Sequence, residues 1–194
     1  MSQNLRTDAE TLIQLSIPFL FRIRDMTPGP EVEDWLNQEY GPRSAFYRGM
    51  AGLALGGLRE GWAANVEIDG SRYRRSLIAE PSMRTHWFSI TSVYMDSMAN
   101  GAESADRHYR GQFHVHPYGE FNMVIPLTPN ARLAGPRGWC GEGWTAPAPG
   151  SRHYPEVRGG ALVALFYLPA GRIAYPEPGR MGAPPASCGR AAPG

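Results

Sequence analysis

The first sixty residues carry apolar side chains at helical spacing. One amphipathic face is defined by residues three or four positions apart, namely Leu12, Leu15, Phe19 and Ile23. This periodicity predicts a first helix, which Pro18 is expected to kink or divide. A second helix is predicted after Pro30, and a third from Pro42 to about Arg59, ending at Gly61. The N-terminal third is therefore predicted to be helical.

From residue 62 onward the pattern changes to short apolar stretches of strand length, separated by Gly and Pro. The predicted strands are residues 62–68, 73–79, 86–94, 108–116, 120–127, 139–145, 153–157, 161–168 and 172–175. Asp69 and Gly70 form the turn of a hairpin, and residues 100–106 and 130–138 are predicted loops. Short strands separated by turn residues predict a mainly β fold, a barrel or double-sheet jelly roll behind a helical N-terminal segment.

The length and composition are those of one globular domain. The chain has 194 residues, of which 42% are hydrophobic, enough for a sizeable core. We predict a helical segment over residues 1–60 packed on a β-barrel over 61–175. Residues 176–194 are rich in Pro, Gly and Ala and are predicted to form a mobile tail.

Charge and cysteine content exclude several functional classes. The 19 basic and 18 acidic residues nearly cancel, which argues against a nucleic-acid or membrane partner. No lysine is present, so a lysine Schiff base with pyridoxal phosphate is excluded. Cys140 and Cys188 form no disulfide framework and the N-terminus lacks a secretory profile, so a cytoplasmic location is expected.

Three histidines and a glutamate are spaced as metal ligands. His114 and His116 alternate along a predicted strand, so their side chains project from the same face. If the chain reverses at residues 117–119, Glu120 returns on the adjacent strand close to this pair. His153, which follows a stiff turn, would supply a fourth ligand. Such a cluster leaves coordination positions for water or substrate, as catalytic metal sites do.

The two segments resemble the two motifs of the cupin superfamily. The first motif is histidine, any residue, histidine, three or four residues, glutamate, and the second is glycine, two residues, histidine; they match at His114, His116, Glu120 and His153. His108 stands where the family has a glycine, and Val157 where it has an asparagine. The resemblance implies a cupin-like jelly-roll β-barrel with these four residues around a divalent transition metal. Fe2+ is the first expectation, with Mn2+, Zn2+, Ni2+ or Co2+ as alternatives.

A closer resemblance covers roughly residues 60–175. The runs 111–120 (GQFHVHPYGE) and 149–160 (PGSRHYPEVRGG), with the strand and turn after them, resemble the small family of 4-hydroxylaminobenzoate lyases. That resemblance implies a metal-dependent carbon–nitrogen lyase that turns a hydroxylamino-substituted benzoate into a dihydroxybenzoate and ammonia. The expected partner is therefore a small aromatic carboxylate.

Roles beyond the metal ligands are less specified by the sequence. Glu120 is expected to be a fourth ligand or a proton-transfer group, and Tyr118 and Arg152, which flank the ligands, are candidate catalytic residues. Five arginines lie in or beside the β-region and could bind the substrate carboxylate, namely Arg74, Arg75, Arg84, Arg110 and Arg152. Two other functions stay open, an iron dioxygenase of an aromatic ring and a non-catalytic binding module. The helical segment could also form a homodimer contact.

Overall fold

The computed structural model describes residues 2–99 and 108–175. The predicted tail at 176–194 and the predicted loop at 100–106 lie outside the described residues. Three helices come first in the chain, α1 (Ser2–Ile23), α2 (Pro30–Glu39) and α3 (Ala45–Glu60). All later elements are strands, and the prediction of a mainly β fold behind an N-terminal helical region is confirmed.

The helices begin and end for local chemical reasons. Helix α1 runs through Pro18 without a division; Pro18 withholds one N–H, but Phe19 and Leu20 directly after it are buried, so packing holds the helix together. Helix α3 starts at Ser44, whose Oγ accepts a hydrogen bond from the Tyr47 N–H at 3.0 Å. In the part of the chain that the structure describes, no helix combines the length and apolarity needed to cross a bilayer.

Among the described residues, twelve strands form three antiparallel sheets. They are β1 (Val66–Asp69), β2 (Tyr73–Ala79), β3 (Phe88–Asp96), β4 (His108–Arg110), β5 (His114–His116), β6 (Phe121–Pro126), β7 (Arg132–Gly135), β8 (Gly138–Cys140), β9 (Gly143–Thr145), β10 (Ser151–His153), β11 (Glu156–Arg158) and β12 (Ala161–Pro169). A six-stranded sheet has the order β1-β2-β3-β12-β6-β9, and a four-stranded sheet the order β4-β11-β7-β8. Strands β5 and β10 form a separate two-stranded sheet.

The prediction of single strands over 108–116 and 153–157 is wrong, because both stretches break at the same place. Pro155 lacks an N–H and therefore cannot continue a ladder in which its amide would donate. Its carbonyl accepts the Gly111 N–H at 2.8 Å instead. On one side of this crossing the chain belongs to the β5–β10 pair, and on the other side to the four-stranded sheet.

Three other strand boundaries also differ from the prediction. The predicted loop at 130–138 contains β7 and the first residue of β8, and the predicted strand 139–145 is divided between β8 and β9. Residues 172–175 form no strand; they contribute one isolated bridge, between Ala174 and Val115. Short strands at a sheet edge carry little hydrophobic signal, so pattern alone could not separate them from loops.

The six-stranded sheet is covered on both faces. On its outer face, apolar side chains pack with the helices in one core, including Ile90, Met123, Leu165 and Tyr167. On its inner face, Val93, Val124 and Leu162 pack against Leu133 and Val157 of the four-stranded sheet. The inner face thus forms the inside of a two-sheet barrel, and β5 and β10 face it at one end.

Candidate metal centre and adjoining cavity

The three histidines converge because of the register between β5 and β10. His114 lies directly opposite His153, and Ser151 lies opposite His116. Alternation puts His114 and His116 on one face, and the antiparallel pairing adds His153 to it. The ring centroid of His114 lies 4.6 Å from that of His116 and 4.7 Å from that of His153. One ring nitrogen from each residue falls within 4.8 Å of the others, a group that could hold a metal ion.

Glu120 lies beside two of the three histidines, His116 and His153, but it arrives there by a route that differs from the prediction. A turn closed by the Gly119 N–H and the His116 carbonyl, 3.1 Å apart, reverses the chain as expected. Glu120 does not return on a strand paired with β5, however, because β6 joins the six-stranded sheet and pairs with β12 and β9. Glu120 therefore faces the imidazoles across the gap between sheets. Its Oε2 lies 3.3 Å from His116 Nε2, and its Oε1 lies 3.6 Å from His153 Nε2.

Burial determines the charge state of these groups. Desolvation, together with the smaller effects of the neighbouring His114 and His153, lowers the pKa of His116 to about 3. The pKa of His153 falls to about 4, and that of His114 is lowered as well, in both cases chiefly through burial. The imidazoles are therefore neutral near pH 7, and each offers a nitrogen lone pair. Burial also raises the pKa of Glu120 to about 7, an increase that the Asn122 side chain partly offsets.

Hydrogen bonding at the site leaves ligand atoms without partners. His114 Nδ1 lies 2.9 Å from the Gln112 carbonyl; its N–H donates there, so Nε2 keeps a free lone pair. Both ring nitrogens of His116 and Glu120 Oε2 are buried without a hydrogen-bond partner, since the 3.3 Å contact between them lacks hydrogen-bond geometry. Unpaired buried polar atoms are costly. Coordination of a cation would satisfy them, so the residues fit a metal ion.

A cavity of about 330 Å³ adjoins His114. The inner face of β2, β3 and β12 forms one wall, and the segment after β12 forms another. Its lining is mainly apolar and includes Leu77, Val93, Phe166, Leu168 and Ile173. Its polar groups include Arg75, Tyr73 and Tyr175, and the Arg75 Nη1 lies 3.3 Å from the Tyr175 hydroxyl. The cavity can therefore admit a flat apolar molecule with a polar substituent beside the metal ligands.

The other candidate site residues lie outside this cavity. Tyr118 is 52% exposed and lines a different surface cleft, together with Trp87 and Pro149. Arg152 precedes His153 on β10 and is exposed, and alternation directs its side chain away from the imidazoles. A catalytic role for Tyr118 or Arg152 stays a prediction.

The five candidate arginines also separate. Arg84 forms an ion pair with Glu10, and Arg110 with Glu156. Arg74 stacks over the Tyr94 ring at 4.4 Å on the outer face of the sheet. Of the five, Arg75 lines the cavity beside His114. Tyr73 and Tyr175, which share that wall, were missed by sequence reasoning. The only signal for Tyr73 was its alternation with Arg75.

Comparison with known proteins identifies the family to which the chain is similar. Residues 14–175 match the family described as PnbB: 4-hydroxylaminobenzoate lyase. A 4-hydroxylaminobenzoate lyase of Nocardioides sp. (strain LMS-CY) is 61% identical over 166 residues, 86% of this chain and 94% of that protein. One of Pseudomonas putida is 56% identical with the same coverage.

A solved structure is a much weaker match. A chain from crystal structures of DMSP lyases aligns with a TM-score of 0.40 at 14% identity, over 89% of this chain and all of that one. The family match, in contrast, spans the second and third helices, all three sheets and the four residues of the candidate metal centre. The chain therefore belongs to the 4-hydroxylaminobenzoate lyase family and is a lyase.

Proposed function

We propose that this lyase converts 4-hydroxylaminobenzoate and water into a dihydroxybenzoate and ammonia. The observation that carries the proposal is a buried group of three neutral imidazoles and Glu120 at the end of a mainly apolar cavity. The names of the relatives at 56% and 61% identity support the substrate. Atoms balance with one water consumed. The N–O bond provides the oxidising equivalents as it breaks, so the reaction needs no external oxidant.

His114, His116 and His153 would hold a divalent transition metal. Their lowered pKa values keep the nitrogens unprotonated, so protons do not compete with the metal near neutral pH. When bound, such an ion supplies Lewis acidity to an oxygen ligand. Imidazole and carboxylate ligands suit Fe2+, our first assignment, and also Mn2+, Zn2+, Ni2+ and Co2+.

Glu120 would hold or move a proton at its carboxyl group. The reaction releases nitrogen as ammonia, so protons must reach that nitrogen as the N–O and C–N bonds break. Burial raises the pKa of this carboxyl group and favours its protonated form, whereas a cation bound beside it would favour the carboxylate. The group can therefore both hold and release a proton. Its Oε2 has no hydrogen-bond partner, so the same group could instead serve as a fourth ligand.

The apolar walls would orient the ring. Leu77, Phe166 and Leu168 line the cavity beside His114. A ring held there loses its freedom to turn away from the site, which lowers the entropic part of the barrier. A positively charged side chain would pair with the ring carboxylate.

The test is ammonia release from 4-hydroxylaminobenzoate without oxygen, with elemental analysis of the same protein. We expect the wild type to release one ammonia per substrate anaerobically. His116→Ala should lose bound metal, and its turnover should fall by roughly a thousandfold or more, because Lewis-acid stabilisation is worth several kcal/mol. His108→Ala is the control, since His108 pairs with Glu156 on the four-stranded sheet. An oxygen requirement, or full metal and turnover in His116→Ala, would refute the proposal.

A second variant distinguishes the two roles of Glu120. Glu120→Gln keeps the shape of the side chain but removes its charge and its ability to carry a proton. A proton-transfer role predicts retained metal and a fall in turnover of roughly 100-fold or more. A ligand role predicts that metal content falls together with turnover. His153→Gln provides the matched loss of a ligand on β10.

A further inference from the structure

The cavity beside His114 carries one cationic side chain among the residues that the structure describes, Arg75. We propose that Arg75, assisted by the hydroxyls of Tyr175 and Tyr73, binds the ring carboxylate of the substrate and sets the preference for carboxylated rings. This role rests on the proposed function, because it concerns the same cavity and the same substrate class.

The strand register places Arg75 in the cavity. Arg75 lies on β2 between Val66 of β1 and Val93 of β3. Alternation puts its side chain on the inner face with Tyr73 and Leu77, whereas Arg74 points to the outer face. The guanidinium group therefore lines the cavity from a position within the strand, and not from a loop, and Arg75 itself is exposed to solvent.

Arg75 has hydrogen-bonding neighbours but no ion-pair partner among the described residues, although the carboxylate of Glu80 lines the same cavity. Among the described residues no carboxylate lies within ion-pair distance of Arg75, whereas Arg84, Arg110 and Arg137 all have acidic partners. Its near neighbour is the Tyr175 hydroxyl, 3.3 Å from Nη1. A ligand carboxylate would therefore find an unpaired planar cation, the arrangement that favours two-point binding.

Tyr73 is a neutral hydrogen-bond donor under ordinary conditions. Burial raises the pKa of Tyr73 to about 12, so its phenol stays protonated. Tyr73, Arg75 and Tyr175 also line a smaller recess of about 110 Å³ together with His114 and Gln112. A carboxylate in this recess would thus meet one positive charge and two hydroxyl donors.

The segment after β12 ties this polar recess to the metal ligands. Ala174 forms two backbone hydrogen bonds with Val115, at 2.8 and 2.9 Å, and so fixes the segment against β5 between His114 and His116. The next residue, Tyr175, places its ring 5.9 Å from the His114 ring, centroid to centroid. The groups that would donate hydrogen bonds to the substrate carboxylate are therefore held at a fixed separation from the candidate metal ligands. This suits a single ring that bears both a carboxylate and a hydroxylamino group.

The experiment compares two substrates with two arginine variants. The substrates are 4-hydroxylaminobenzoate and phenylhydroxylamine, which lacks the carboxylate. For Arg75→Met we expect kcat/KM with the benzoate to fall roughly 10- to 100-fold, mainly through KM, the size of a lost charged hydrogen bond. With phenylhydroxylamine kcat/KM should stay unchanged. Arg74→Met removes the neighbouring cation from the outer face and should change neither value.

Two further variants check the geometry of the recess. Arg75→Lys retains the charge but loses the planar fork, so it should recover part of the lost kcat/KM. Tyr175→Phe removes one hydroxyl and should raise KM for the benzoate only a few-fold. An equal loss on both substrates in Arg75→Met, with normal metal content, would overturn the proposal, and so would an unchanged KM for the benzoate.

Binding of unsubstituted benzoate separates this proposal from the proposed function. Isothermal titration of benzoate needs no turnover, so it reports on the carboxylate site even if the reaction is different. Binding by the wild type, with loss in Arg75→Met and not in Arg74→Met, supports the carboxylate site whether or not ammonia is formed. Equal benzoate affinity in all three proteins would overturn it, even where 4-hydroxylaminobenzoate is turned over.

Discussion

The two faces of the six-stranded sheet differ in whether the buried polar atoms beside them have hydrogen-bond partners. On the outer face, under the helices, two large aromatic side chains have hydrogen-bond partners: Trp144 Nε1 donates to the Tyr40 carbonyl at 2.7 Å, and the Tyr47 hydroxyl donates to the Val124 carbonyl. On the inner face, His116 and Glu120 keep buried atoms without hydrogen bonds. The paired groups stabilise the packing under the helices, whereas the unpaired atoms of His116 and Glu120 are available to bind a ligand.

Packing also differs between the two faces: the outer face is covered by a single core, whereas the inner face borders a cavity. The outer core is continuous and aromatic, with Phe19 in contact with the rings of Tyr40, Phe46, Trp144 and Tyr167. The inner face is apolar only where the four-stranded sheet covers it, and opens into the cavity beside His114. We infer that folding stability and metal binding can be altered separately, one from each face.

The largest expected effect on folding is at Phe19. Phe19→Ala should lower the free energy of unfolding by about 3–5 kcal/mol, because a large buried ring is lost and its neighbours cannot fully fill the space. Metal bound per folded molecule should not change, since Phe19 lies on the far side of the sheet from the ligands. Urea denaturation followed by elemental analysis of the folded fraction measures both quantities.

Phe21 is the matched control for this variant. It lies two residues along in α1 and is 52% exposed, so Phe21→Ala should cost less than about 0.5 kcal/mol. Loss of metal from folded Phe19→Ala protein would contradict the separation of the two faces.

An intermediate effect is expected at Gly119, on the site side. Gly119 has φ +74, and a Cβ there would lie 2.6 Å from the Pro147 carbonyl oxygen. Gly119→Ala should therefore lower the free energy of unfolding by about 2 kcal/mol or more, from the strained φ and the collision together. Since Glu120 follows directly, turnover should fall more than in Phe19→Ala, when each is expressed per folded molecule.

Gly150 is the matched control, because it separates the effect of the contact with Pro147 from the effect of the positive φ. It has a similar φ of +76, but a Cβ there meets nothing within 4 Å. Gly150→Ala should show only the conformational cost of about 1–2 kcal/mol. Equal losses of stability and of turnover in the two variants would show that the contact with Pro147 does not position Glu120.

The site was predictable from sequence to the extent that alternation and turn chemistry determine it. His114 and His116 share a face in any strand, and the turn before Glu120 could be read from Pro117 and Gly119. The pairing of β5 with β10 could not, because local pattern does not specify which strands are neighbours. The hairpin predicted to deliver Glu120 was therefore wrong, although Glu120 does approach the imidazoles.

The cavity was harder to predict than the metal ligands. Arg75 and Arg74 are adjacent and chemically identical, so only the location of the barrel interior distinguishes them. That location follows from long-range pairing of β2 with β3. Similarly, β7 has four residues in a stretch rich in turn formers, and it is a strand because β11 and β8 pair with it on either side.

The smallest expected effect concerns Ser44, at the start of α3. Ser44→Ala removes the side-chain acceptor of the Tyr47 N–H and should lower the free energy of unfolding by about 1 kcal/mol. Ser44→Asp keeps an acceptor and should retain most of the stability. The measurement is urea denaturation of the three proteins side by side, together with turnover.

This variant is also the most sensitive test of the contrast between the faces. The N–H of Tyr47 donates to the Ser44 side chain, and the Tyr47 hydroxyl donates to the Val124 carbonyl of β6. Strand β6 begins directly after Glu120. If the faces are independent, Ser44→Ala loses stability and keeps full turnover. A drop in turnover without loss of folded protein would instead mean that the helical layer positions Glu120 through Tyr47 and β6.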